Sequence, residues 1–133
     1  MVTISSRVHR IPVSAASGSG DSLATVTTSE TDIVSHTATP GAAAHSWAIF
    51  GAVHIRDYND TYTLKLYYDA SVLQTLTGVT GSPAAVIVGL AGFQENTVVS
   101  SHTIKLTGQR TAGSGNSIID GVVSFREVSA LAP

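Results

Sequence analysis

The sequence predicts an all-β fold, an antiparallel sandwich or barrel of about eight short strands. Three observations predict it. Apolar residues recur with a period of two in one segment after another, and Gly, Ser, Asn and Pro return between those segments as chain breakers. No window carries an apolar stripe at i, i+3, i+4 and i+7 between helix caps. With 133 residues the chain suits a single domain, long enough to bury a core without metal or disulfide support.

The elements follow in order. Val2 to Val13 reads as a strand-like opening, and Ser14-Ala15-Ala16-Ser17-Gly18-Ser19-Gly20 has the composition of a flexible linker. Residues 1–22 are therefore expected to be an N-terminal arm, or a first strand plus linker, ahead of a β-domain over 23–133. Leu23 to Thr27 and Asp32 to Thr37 are short strands, with Pro40-Gly41 marking the exit of the second. In HSWAIFGAVHI, residues 45–55, the odd positions are bulky, which points Trp47, Ile49, Val53 and Ile55 into a core and leaves a smaller, mixed opposite face. Gly51 in its middle predicts a bulge or the close approach of a neighbouring backbone.

Tyr62, Leu64, Leu66 and Tyr68 alternate with Thr61, Thr63, Lys65 and Tyr67, and Asp69-Ala70-Ser71 turns the chain into Val72 to Leu76, a hairpin. Gly78 to Pro83 is expected to break the chain, with a weak helical turn near Ser82 to Ala85, before a strand whose Val86, Val88 and Leu90 share a face. His102 to Thr107 contributes Ile104 and Leu106, Thr111 to Asn116 is a loop, and Ser117 to Val128 contributes Ile119, Val123 and Phe125.

Composition narrows function. A net charge of −2 with only 12% charged residues gives no basic field for nucleic acid. No stretch approaches the roughly 20 apolar residues of a membrane span, and the opening MVTISSRVHR lacks the apolar region of a secretory signal. Cysteine is absent, which removes thiol catalysis, zinc-thiolate sites and disulfides. The histidines, at 9, 36, 45, 54 and 102, are spread along the chain without zinc-site spacing.

The densest polar cluster, His54 with Asp57, Asn59 and Asp60, lacks the spacing of a calcium loop and reads as a turn; Asn59-Asp60-Thr61, which fits a glycosylation sequon, falls in that turn. No Gly-x-Ser-x-Gly elbow, phosphate loop or carboxylate pair appears, so no enzyme chemistry and no cofactor is expected. One binding site is conceivable: Tyr58 and Tyr67, with the loop residues Asp57, Asn59 and Asp60, would offer aromatic faces and polar groups to a glycan or a partner.

A weakly charged β-domain whose strands carry apolar residues or Thr and Ser on both faces poses a physical problem, because the outside of a solitary sandwich is normally rich in Lys and Glu. Assembly solves it. Ala42-Ala43-Ala44, Val98-Val99 and Tyr67-Tyr68 are the candidates for surface covered by sister subunits, with ordinary burial inside the two-sheet core as the alternative for each.

The run Asp32 to Pro40, then Ser46 to Ile55, then Tyr62 to Leu73, resembles a jelly-roll domain of tailed-phage structural proteins, similar in plan to the tumour-necrosis-factor and C1q β-sandwich. The closing segments, His102 to Gly108 and Ser117 to Phe125, fit the end of that pattern, and the likeness covers residues 30 to 131. Asp69-Ala70 departs from it, since a glycine usually completes that turn. The resemblance implies an antiparallel jelly-roll β-sandwich and a homotrimer. It also implies a place on a virion, either as a capsid decoration (cement) protein bound to the major capsid protein or as part of a tail or fibre that binds tail proteins or a host glycan. It implies no cofactor, no nucleic acid and no membrane.

Overall fold

The computed structural model describes residues 17–40, 45–56, 60–82, 86–114 and 117–129. They form eight strands: β1 (Ser17–Val26), β2 (Thr31–Ala38), β3 (His45–Arg56), β4 (Thr61–Tyr68), β5 (Ser71–Thr80), β6 (Val86–Thr97), β7 (His102–Ala112) and β8 (Ser117–Ser129). The order is β1-β8-β3-β6 in one sheet and β2-β7-β4-β5 in the other, and all the pairings are antiparallel. β1 pairs with β8, β2 with β7, β3 with β6 and β4 with β5, so the chain is one long antiparallel ribbon, with its β4–β5 hairpin at the tip, wrapped into two sheets. This is the jelly-roll sandwich.

The core is the inward row of each sheet. Trp47, Ile49, Val53, Ile55, Ile119, Val123 and Phe125 come from the first, and Tyr62, Leu64, Leu66, Tyr68, Ile104 and Leu106 from the second. β4 shows the alternation most cleanly, every second residue buried from Tyr62 to Tyr68. Trp47 organises one end of this layer: its ring stacks on Phe125 at 4.1 Å and meets Tyr68 edge-on at 5.7 Å. Burial of the Tyr68 hydroxyl, with Asp69 beside it, pushes its pKa up to about 12.

Several expectations need correction. Ser17 to Ser22 is not a linker: the Gly/Ser run is the first half of β1, in continuous register with β8 from Ser17↔Arg126 to Ser22↔Gly121. Ladder hydrogen bonds made by the backbone are indifferent to side-chain composition, so a run that looks like a linker still pairs when a partner strand is offered. The opening segment from Val2 to Val13 lies outside the described residues, as do Ala42 to Ala44 and most of the turn near Ser82 to Ala85.

Gly51 is not a bulge, since its pairings to β6 and β8 run through without a shift. A Cβ there would stand 2.8 Å from Leu106 Cδ1, so the neighbour that requires glycine is a side chain of the facing sheet. Gly78 does not end a strand either; β5 continues to Thr80, and Thr77-Gly78 form a bulge opposite Thr63. Val86 is only half-buried and lies outside the core cluster, Val88 packs against its margin, and Leu90 is the buried residue of that row. β6 is an edge strand, and its first residues lie at the rim of the sandwich.

Candidate functional site

The residues singled out for a glycan or partner contact do not converge. Asp57, Tyr58 and Asn59 lie outside the described residues. Asp60 is buried at 5% exposure, its carbonyl accepts from Gly81 N–H at 2.9 Å, and its carboxylate lies 3.8 Å from the Arg110 guanidinium. Gly113, at φ 96, lies so close that any Cβ would overlap the Asp60 carboxylate. Asp60 is thus a tie at one end of the sandwich. Tyr67 lies seven residues further along, on the order of 23 Å away at extended-strand spacing, on the outer face of the second sheet. Asp60 and Tyr67 therefore cannot line one platform.

Tyr67 has another partner that sequence reasoning missed. Its hydroxyl donates to Glu30, which also accepts from Thr107 at 2.7 Å and pairs with Lys65 at 3.2 Å. The hydrogen bonds from Tyr67 and Thr107, with the charge of Lys65, hold the Glu30 pKa down to about 2. The Lys105 ammonium sits 5.1 Å from the Tyr67 ring centroid and 3.2 Å from Asp32, and Thr37 bonds Thr103 across the same sheet. Glu30 stands just before β2, far in sequence from its partners, so no local pattern flags it.

A Ser-His-Asp constellation also emerges where the sequence shows no motif. Ser100 Oγ lies 3.3 Å from His102 Nε2, and His102 Nδ1 lies 2.7 Å from Asp69 Oδ2. Proton accounting decides its meaning. The Asp69 carboxylate can only accept, so Nδ1 donates; the Val98 carbonyl, 2.9 Å from Nε2, can only accept too, so Nε2 also donates. A general base for Ser100 needs a lone pair on Nε2, and that nitrogen is turned to a carbonyl.

The ring is a clamp. Burial opposes its charge, but the bonds to Asp69 and the Val98 carbonyl outweigh that and raise the His102 pKa above the ordinary histidine value. The same Asp69 carries the Asp69-Ala70 turn: at φ 50 it adopts a left-handed conformation, accepts from Thr103 N–H at 2.8 Å and donates its own N–H to the Thr103 carbonyl at 2.7 Å. The carboxylate and the backbone N–H of Asp69 thus tie the hairpin to β7. No cluster of three or more metal-ligating side chains occurs among the described residues.

The remaining feature is a surface. On the outside of the first sheet Ile87 is 78%, Phe93 53% and Phe50 52% exposed, with Ile118, Val122 and Val128 exposed beside them. Register makes this one patch: Phe50 pairs Ala91, Ala48 pairs Phe93 and Ala52 pairs Val122. Aromatic and β-branched side chains stand in adjacent rows, which a solitary soluble domain seldom leaves to water. The expected covered surfaces fare unevenly by comparison. Val98 and Val99 are exposed in the β6–β7 turn, whereas Tyr68 belongs to the core and Tyr67 is tied to Glu30.

No protein-family model matches the chain, and no curated protein does. Solved structures do, by fold. A subunit of Bacillus endospore appendages, described as disulfide-linked pili, superposes with a TM-score of 0.50 at 11% identity, over 88% of this chain and 90% of that one. A protein of the T13 particle of infectious bursal disease virus superposes with a TM-score of 0.58 at 9% identity, over 85% of this chain but 31% of its own length. The chain thus spans about a third of that viral protein. The fold is shared with a viral-particle protein and a pilus subunit; nothing in these matches singles out the tailed-phage type.

Proposed function

We infer that this chain is a non-enzymatic structural subunit that works in many copies, placed on a virion as a capsid decoration protein. The observation that carries this reading is the apolar patch on the outer face of the β1-β8-β3-β6 sheet, where Phe50, Ile87, Phe93 and Val122 stand exposed on adjacent strands. The fold supports it, since the same jelly roll serves in a viral particle and in a pilus, both repetitive assemblies. A disulfide-linked fibre is chemically closed to this sequence, which has no cysteine.

The major capsid protein as partner and the homotrimer as building block come from the phage resemblance. Weak contacts repeated in a symmetric array add up to collective rigidity, so no single interface has to be strong.

Two measurements test the reading. Light scattering at micromolar concentration should give a defined oligomer, and purified protein should co-sediment with capsid shells that lack it, in stoichiometric amount. A stable monomer that ignores shells overturns the proposal.

A further inference from the structure

We propose that the outer face of the β1-β8-β3-β6 sheet packs on the same face of a second copy of this chain. The two are related by a two-fold axis lying between the sheets, perpendicular to the strands, over the row that contains Gly51 and Val123. The inference rests on the assembly reading and deepens it by naming the partner and the geometry.

Such an axis keeps strand order and reverses strand direction, so β8 crosses β8 and β3 crosses β3 of the second copy. Each side chain then faces the one equally far beyond the axis row. Along β8, Asp120 stands three residues before Val123 and Arg126 three after, and both are exposed on the outer face. Asp120 of each copy therefore meets Arg126 of the other, giving two ion pairs, and Val122 meets Ser124.

Along β3, whose Gly51 pairs Val123, Phe50 meets Ala52, a large residue over a small one. Along β6, whose Leu90 pairs Gly51, Phe93 meets Ile87, the two most exposed apolar residues of that strand. Arg56 falls on Ser46. Opposite charges meet on β8, a large residue meets a small one on β3 and two apolar residues meet on β6, all under one operation, as an isologous contact demands of a surface. An unrelated partner places no such requirement on this row.

The geometry is ordinary for β-sheets. Aligned sheets pack about 10 Å apart at about 30°. Three residues from the axis, roughly 10 Å along the strand, that angle offsets facing positions by only about 5 Å, within reach of an arginine. The pair uses one face and leaves the sheet edges and the ends of the sandwich free for other contacts, a three-fold among them.

Analytical ultracentrifugation of the full chain tests the proposal. Wild type should sediment as an even-numbered particle, and Phe50→Asp should halve its mass. Asp120→Arg and Arg126→Asp should each raise the dissociation constant roughly tenfold or more, because either one sets like charges opposite twice, and the double variant should recover to within a few-fold of wild type. Within one chain the two residues are roughly 20 Å apart, so only contact between copies explains rescue. An oligomer indifferent to Phe50→Asp, or a double variant no better than the singles, overturns the pairing while the assembly reading stands. A monomer overturns the pairing, and one that also ignores capsid shells overturns both.

Discussion

On the outside of the β2-β7-β4-β5 sheet, Lys65, Tyr67 and Thr107 all end on Glu30, Lys105 ends on Asp32, and Thr37 bonds Thr103. On the outside of the β1-β8-β3-β6 sheet, Phe50, Ile87 and Phe93 stand exposed, and the one ion pair there among the described residues is the 3.6 Å contact of His54 with Asp120. Both faces arise from the same alternation along their strands. The chain completes the first with its own residues, so water is an adequate solvent for it. The second leaves Phe50, Ile87 and Phe93 to water, and under the proposed pairing a second copy covers them. The comparison teaches that strands of the same alternation can finish an outer face in two ways: one side of this molecule closes it with ion pairs and hydrogen bonds of its own, and the other leaves large apolar side chains exposed.

The largest expected effect sets the scale for both faces. Trp47→Ala removes the ring that stacks on Phe125 and abuts Tyr68, and should cost about 3–5 kcal/mol of unfolding free energy in urea. Amide exchange in the variant should rise in both sheets together; protection retained in one sheet alone would mean that the two faces are not parts of one cooperative unit.

A smaller loss is expected at the polar face. Glu30→Gln should destabilise by about 1 kcal/mol while leaving sedimentation unchanged. Because the folded pKa of Glu30 is depressed to about 2 from 4.5, its contribution is present above about pH 4.5 and fades as pH falls toward 2. The stability gap between wild type and Glu30→Gln should close over that interval, and a gap independent of pH would refute the charge-based account of Glu30.

The clamp at the β4–β5 turn carries the opposite sign. His102 has a raised folded pKa, so its contribution is full below the unfolded value near 6.5 and is lost as pH rises through the folded value. Asp69→Asn keeps a residue that tolerates the left-handed turn and removes the carboxylate charge, and should lower the melting temperature more at pH 5.5 than at pH 8.5, by up to about 1 kcal/mol in free energy. Equal losses at the two pH values would show that the ring is not held as a cation.

Phe50→Asp should have the smallest effect on folding, within about 0.5 kcal/mol of wild type once dilution has removed association, although it has the largest effect on assembly. Loss of stability comparable to Trp47→Ala would place Phe50 in the fold and erase the contrast between the two faces.

Much of the fold was legible from β3 onward. Trp47, Ile49, Val53 and Ile55 alternate strictly, β4 alternates without exception, and Asp69-Ala70-Ser71 marks its own turn. β1 was not legible in full, because Ser17 to Gly20 pairs with β8 through a Gly/Ser run whose sequence has no apolar alternation to read. The exposed apolar patch was half legible. Phe50 and Phe93 are visible as apolar residues, but whether they stand side by side depends on β6 pairing β3 although β4 and β5 lie between them in the chain, a register that no local window contains.

By itself, the sequence determined the period of two, the positions of most turns, the absence of cysteine and the shortage of charge, since these are properties of the chain read locally or summed. Only the tertiary structure decided which alternate rows become neighbours. It brought Glu30 to Lys65, Tyr67 and Thr107, turned both nitrogens of His102 toward acceptors, buried Asp60 away from any ligand, and gathered Phe50, Ile87, Phe93 and Val122 on one outer face. The physical reason is that a strand's two faces are fixed by backbone geometry, but what each face meets is fixed by partners distant in sequence, and chemistry and assembly depend on those meetings.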